Sequence, residues 1–221
     1  MSILIYLILG LLTSLLFPPY FFLPLGFIIF PYLCLLLDLN KEDYSTLNIF
    51  KKFTIFGFGF FISFLFWVKN PFFVFEETKN FFLVFLLLII LLSIILGLIF
   101  TIIFKLGKNI PIIFLIPFMF TSCEYVISIF FYGFPWFTFS LLLSSDEYLL
   151  LPIKFFGTFF SSYLVIQILC IPFIFLTKKN FKKELRYFSA FIILPIIFLL
   201  ISNFNLEKNN LNIKTINLEI F

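Results

Sequence analysis

The chain has 221 residues, 63% of them hydrophobic and 12% charged, with a formal charge of +4 and no histidine; its mean hydropathy is +1.20. Soluble domains carry about 25% charged and about 45–50% apolar residues, so the composition excludes both a water-soluble globular domain and a disordered chain, and places the protein in a bilayer. The lack of histidine removes Ser-His-Asp triads, Cys-His pairs, histidine-ligated zinc and histidine general bases together.

Crossing a hydrocarbon core of ~30 Å takes about 20 apolar residues as a helix, and the sequence offers about seven such stretches. The fold expected is therefore an all-α polytopic integral membrane protein, with a transmembrane helical domain over 1–204. The opening apolar run, Ile3 to Leu37, carries no charge but is broken by Pro18, Pro19 and Pro24. It reads as two short helices, 3–17 and 20–37, joined at the prolines, or else as one span with a re-entrant piece. The further spans are expected at 53–75, 81–104, 110–131, 152–176 and 187–204. The tail, 205–221, departs from this pattern: Leu211, Ile213 and Thr215 alternate with polar neighbours, and so do Ile216, Leu218 and Ile220. That alternation is the start of a β-strand whose partners would belong to a further domain.

Charge is distributed by loop. The linkers at 38–52, 105–109 and 177–186 hold ten of the 15 basic residues; the other five are Lys69, Lys79, Lys154, Lys208 and Lys214. Basic residues in short loops favour the cytoplasmic side, so the charge points to topology rather than to nucleic acid. The expected arrangement is a cytoplasmic N-terminus, with the loop from Tyr132 to Leu151 and the C-terminus extracytoplasmic. No secretory leader is expected, because the N-terminus has neither a basic region nor a small-residue cleavage site.

The three cysteines, Cys34, Cys123 and Cys170, sit in apolar runs without Cys-x-x-Cys spacing, and read as buried free thiols rather than a disulfide framework or metal clip. No cofactor and no metal is expected. With 41 phenylalanines in the chain, single Phe residues are not read as sites. Glu124 is different. It lies inside the fifth span with no Lys or Arg one turn away, since Ile127 and Ser128 stand there. A carboxyl group at that depth faces either a cavity or a partner, or is protonated and tolerated. After the span come Gly133, Phe134, Pro135 and Trp136, which read as an aromatic-belt turn or as a rigid lip over which a lipid or peptide tail passes. Gly57 and Gly59, in the third span, allow close helix packing. They are no phosphate loop, because no strand precedes them and no Lys with Ser or Thr follows at the required spacing. Glu76, Glu77, Asp146 and Glu147 read as solvated loop charges.

Taken in order, these features resemble the N-terminal membrane domain of the apolipoprotein N-acyltransferase family. Phe17, Pro19, Phe22, Pro24, Leu25 and Pro31 are similar to its opening helix, proline-aromatic break and second helix. The run from Gly57 to Trp67 resembles its third span, and Gly157 with Ser162 and Tyr163 its sixth. Glu124, followed by Gly133, Phe134, Pro135 and Trp136, is the most specific element. The chain departs at Ile127, where the family carries an Arg, and at Ser140, where it carries a Gly. The resemblance implies transfer of an acyl chain from a phospholipid donor, through a Cys thiolate, to the α-amine of a diacylglyceryl-modified lipoprotein at the bacterial inner membrane. It also implies that the chemistry belongs to a nitrilase-like domain with a Glu, Lys and Cys triad, of which 205–221 resembles only the first strand. None of the three cysteines matches that nucleophile, so no catalytic residue is assigned, and the chain alone is expected to be inactive or completed by a separately encoded nitrilase-like half. The competing readings are a non-catalytic scaffold or remnant that binds lipid or lipoprotein, and a small transporter. Transport predicts several embedded polar residues along a path, whereas Glu124 and Gln167 are the main candidates here.

Overall fold

The structure, a computed structural model, describes residues 3–39, 45–133, 137–145 and 150–176. The regular elements among them are all helical, and the protein is an all-α membrane protein. The expected seventh span, 187–204, and the strand-like tail, 205–221, lie outside the described residues.

Helix α1 covers Ile3–Ser14. The chain then turns over Pro18 and Pro19, which are joined by a cis peptide bond, passes through a single 3-10 turn at Leu23–Leu25 and enters α2, Gly26–Asp38. The turn is closed locally, the Phe22 N–H donating to the Leu15 carbonyl at 3.0 Å. At 12 and 13 residues these two helices are only about 18–20 Å long, so neither spans a full hydrocarbon core unaided.

Helix α3 runs Thr46–Phe64, a different interval from the 53–75 expected from hydropathy. Its start is fixed by Ser45, whose Oγ accepts the Asn48 N–H at 3.3 Å as an N-cap. Lys51 and Lys52, read from the sequence as linker, therefore lie on the helix. Their aliphatic stems let the ammonium groups reach a polar boundary, and the Lys52 Nζ stands 5.6 Å from the centre of the Tyr6 ring. At the other end the chain leaves α geometry for two 3-10 helices, Phe66–Phe73 and Glu76–Phe81. Pro71 disfavours α geometry at the residue before it and so helps stop the helix from running on to 75.

Next come α4, Phe82–Leu106, and α5, Ile112–Phe130. Helix α6, Leu151–Leu169, is broken at Gly157, whose φ of 76° and ψ of 172° are not helical. Only glycine enters that region without strain. A short α7, Ile171–Leu176, follows. Among the described residues four stretches are long and apolar enough to cross a membrane: Thr46–Phe64, Glu76–Leu106, Ile112–Phe130 and Pro152–Leu176.

Successive neighbours pack α1 on α3, α3 on α4, α4 on α5 and α5 on α6. The α1–α3 crossing brings backbones together: a Cβ on Gly10 would run into the Phe56 carbonyl, and one on Gly59 into the Leu7 carbonyl. Small residues at such crossings are how membrane helices gain van der Waals contact when lipid offers no hydrophobic drive. The core is a network of edge-to-face phenylalanine rings. Phe53 meets Phe100 at 5.2 Å between centroids, Phe100 meets Phe120 at 4.8 Å, and Phe120 meets Phe30 at 5.4 Å. The void left between Phe53, Phe100, Phe120 and their neighbours is about 10 Å³, at the lower limit of what one water occupies.

Candidate functional site: a re-entrant segment held by Glu124

Glu124 is buried on α5, with 1% of its surface exposed. On an α-helix, Thr121, Glu124 and Ser128 share one face. The Ser128 Oγ is satisfied locally by donating to the Tyr125 carbonyl at 2.7 Å. Glu124 instead reaches out of its helix: its Oε1 accepts the backbone N–H of Phe139 at 2.8 Å.

The acceptor matters because of where Phe139 is. Residues Phe139–Ser145 form a 3-10 helix, and the first N–H groups of a helix have no partner within it. The middle of the loop from Tyr132 to Leu151, the loop expected on the extracytoplasmic side, packs into the bundle, with Phe137, Thr138, Phe139, Ser140 and Leu142 all buried. Phe139 packs edge-on against Phe17, Phe30 and Phe120 at 5.0–5.6 Å, and Phe137 against Phe60 and Phe61 at 5.4 Å. Non-helical backbone at membrane depth is tolerated only when protein satisfies its polar groups. Two helices do so: Glu124 of α5 takes the Phe139 N–H, and Ser162 Oγ of α6 takes the Ser140 N–H at 2.9 Å. The Ser140 hydroxyl donates in turn to the Thr138 Oγ1 at 3.0 Å.

One Glu124 oxygen remains. Oε2 is buried and has no hydrogen-bond partner among the described residues, as is also true of the Thr121 Oγ1 on the same face. The Ser162 side chain is near enough to bear on the carboxyl group, without completing a hydrogen bond to Oε2. Gln167, farther along α6, is fully buried with both amide atoms lacking a hydrogen-bond partner among the described residues.

Helix α5 ends in a Schellman arrangement. The Tyr132 N–H donates to the Ile129 carbonyl at 3.2 Å and the Gly133 N–H to the Ser128 carbonyl at 2.7 Å, the pairing that defines this cap. Tyr132 occupies the left-handed position with φ 55°, and Gly133 follows with φ 84°. Tyr132 is fully exposed, so the chain travels from the surface at Tyr132 to the core at Phe137. Of the sequence-derived site residues, the structure therefore buries Glu124 and exposes Gly133, whereas Phe134, Pro135 and Trp136 lie outside the described residues.

Phe137, Phe139 and the Ser140–Ser162 pair were not singled out from the sequence. The 41 phenylalanines hide the first two. The weak signal that was present is the polar trio Thr138, Ser140 and Ser162, small side chains in otherwise apolar surroundings.

The three cysteines are free and buried. Cys34 lies on α2 and Cys170 at the α6–α7 junction. Among the described residues no three His, Cys, Asp or Glu side chains gather as a metal site would require.

Fold and site together define a polytopic membrane domain whose re-entrant element is tied to two helices by side-chain-to-backbone hydrogen bonds. The sequence model of the apolipoprotein N-acyltransferase N-terminal domain matches residues 9–171, and the chain belongs to that family. The match runs from the middle of α1 to the start of α7 and includes the whole re-entrant segment. No curated protein and no solved structure matches the chain.

Proposed function

We propose that this chain is the membrane domain of an apolipoprotein N-acyltransferase, serving transfer of a phospholipid acyl chain to the α-amine of an N-terminal diacylglyceryl-cysteine. The observation that carries the reading is the family match over 9–171, whose span contains the buried Glu124 and the segment it holds. The role we assign to the described residues is support and access rather than covalent chemistry. A thioester route needs a thiolate beside a base or a cation. Cys34, Cys123 and Cys170 are instead packed in an apolar interior, and Glu124 spends one oxygen on the Phe139 N–H. A separately encoded nitrilase-like partner fits this division of labour.

In this reading Glu124, Gly133, Phe134, Pro135 and Trp136 form the lip past which lipid-borne substrates move. Glu124 acts at one remove, by fixing the buried segment into which the lip leads. The membrane is the bacterial inner membrane, with a cytoplasmic N-terminus and an extracytoplasmic C-terminus; the distribution of basic residues supports that orientation. The burial of all three thiols also favours a scaffold that presents lipid or lipoprotein to a partner over a self-sufficient enzyme.

The test is photocrosslinking of a diacylated lipopeptide to the full chain in proteoliposomes, comparing wild type with Glu124→Leu and Trp136→Ala. The expected result is crosslinking to wild type that drops in both variants at equal protein level. Equal crosslinking in all three would refute the access role. Appearance of N-acylated lipopeptide mass with this chain as the sole protein would refute the division of labour.

A further inference from the structure

We propose that residues 66–81, the two 3-10 helices between α3 and α4, form a membrane-interface segment that docks its aromatic face among the headgroups of a zwitterionic phospholipid leaflet. This is independent of the acyl-transfer reading. Length comes first. Helix α3 has 19 residues and α4 has 25, or about 28 Å and about 37 Å against a hydrocarbon thickness of ~30 Å. Each is long enough, or nearly so, to cross by itself, so the segment joining them begins where the hydrocarbon ends.

Composition and exposure agree with that depth. Neither 3-10 helix has a buried residue, and Phe66, Trp67, Phe73, Val74, Phe75 and Phe81 are each more than half exposed. Exposed aromatics in this density, facing water, would be an association hazard. In the hydrocarbon the interleaved Lys69, Glu76, Glu77 and Lys79 would be costly. Only the boundary suits both sets, because Trp and other aromatics favour the headgroup level and charged side chains there keep contact with water. Exposed apolar side chains follow at Leu83, Val84 and Leu87 at the start of α4, within the candidate membrane span Glu76–Leu106, whose charged first residues, Glu76, Glu77 and Lys79, place its beginning at the boundary. The backbone is also prepared for partial desolvation. The Val68 N–H donates to the Leu65 carbonyl at 2.9 Å and the Thr78 N–H to the Phe75 carbonyl at 3.2 Å. The Thr78 Oγ1 donates within reach of both the Phe72 and Phe75 carbonyls, at 3.0 and 2.9 Å.

Charge decides the kind of lipid. Two lysines face two glutamates in this segment, so its formal charge is zero. The Lys79 Nζ is paired with the Glu76 Oε1 at 2.6 Å, and the Lys69 Nζ sits 3.3 Å above the centre of the Phe66 ring. An anionic-lipid site needs surplus basic charge, and this segment has none.

The chain contains two tryptophans, so Trp136→Phe leaves Trp67 as its only indole. The full chain carrying that substitution is reconstituted into phosphatidylcholine vesicles with bromines placed at successive acyl-chain depths. The expected result is blue-shifted Trp67 emission, quenched at least about twofold more by the shallowest bromines than by the deepest, as befits a residue ~5–10 Å into the boundary. Replacing part of the lipid with phosphatidylglycerol should leave that ratio unchanged. Water-like emission without quenching overturns the proposal in favour of an aqueous loop. Strongest quenching by the deepest bromines overturns it in favour of hydrocarbon burial, and a clear dependence on phosphatidylglycerol overturns the charge argument. Should Trp136→Phe not fold, a nitroxide at Phe75→Cys answers the same question. Comparable collision with oxygen and with a water-soluble nickel chelate is expected, and exclusive collision with either one overturns the proposal.

Discussion

Replacing Glu124 with Leu keeps the volume of the side chain roughly constant and deletes the acceptor of the Phe139 N–H. Phe139 is fully buried, its ring packed against those of Phe17, Phe30 and Phe120, so its N–H has no route to solvent without opening of the segment. An orphaned buried donor costs about 1–3 kcal/mol. Polar contacts between helices in a membrane protein have averaged ~0.6 kcal/mol, because the opened state finds other partners. Phe139 has few to find, so the upper range applies. At about 1.4 kcal/mol per factor of ten, opening of the 137–145 segment should become about 5- to 150-fold more frequent. Hydrogen exchange read by mass spectrometry on peptides covering Phe137–Ser145 measures this directly. Glu124→Gln retains a carbonyl oxygen at the same position and should change exchange by no more than about tenfold. The core of α3 and α4 should exchange as in wild type in both variants. If Glu124→Leu left exchange of the 137–145 segment within about twofold of wild type, or accelerated the whole bundle uniformly, the clamp would be wrong.

Three further substitutions probe the scaffold. Tyr132 holds a left-handed conformation that costs a non-glycine residue roughly 1–2 kcal/mol; Tyr132→Gly should stabilise the cap by about 0.5–1 kcal/mol after the loss of backbone entropy, seen as a higher unfolding midpoint in detergent. Gly157→Ala forces a Cβ into a region essentially reserved for glycine and should cost about 1–3 kcal/mol, with a lower midpoint and faster exchange confined to α6; an unchanged midpoint would show that the break in α6 relaxes. Gly59→Leu drives a side chain into the Leu7 carbonyl and should separate α1 from α3, which a crosslink between cysteines introduced on those two helices would report as lost yield.

The class of the fold was already decided by composition. A chain that is 63% hydrophobic and only 12% charged has no means of burying its apolar surface in water, and helices are the open-ended way to satisfy its backbone in lipid. The proline break at 18–24, the packing role of Gly57 and Gly59, and the singular position of Glu124 were legible for the same reason: each is a residue whose local physics differs sharply from that of its neighbours. Element ends were less legible. Hydropathy placed the third helix at 53–75, but a single Ser45 cap moved its start to Thr46, since a hydrogen bond at the terminus outweighs the polarity of two lysines that can extend to the surface.

What only the tertiary structure decided is the fate of Phe137–Ser145. Nothing local separates Phe137 and Phe139 from the chain's other phenylalanines, and hydropathy is blind to whether an apolar stretch lies on the membrane, leaves it or folds back. The outcome depends on two acceptors distant in sequence, Glu124 and Ser162, arriving from different helices at the two N–H groups that would otherwise forbid the segment from entering. A pairing of that kind is a property of the helix packing, and it turns a carboxyl group that the sequence marked as anomalous into the fixture that holds the re-entrant segment.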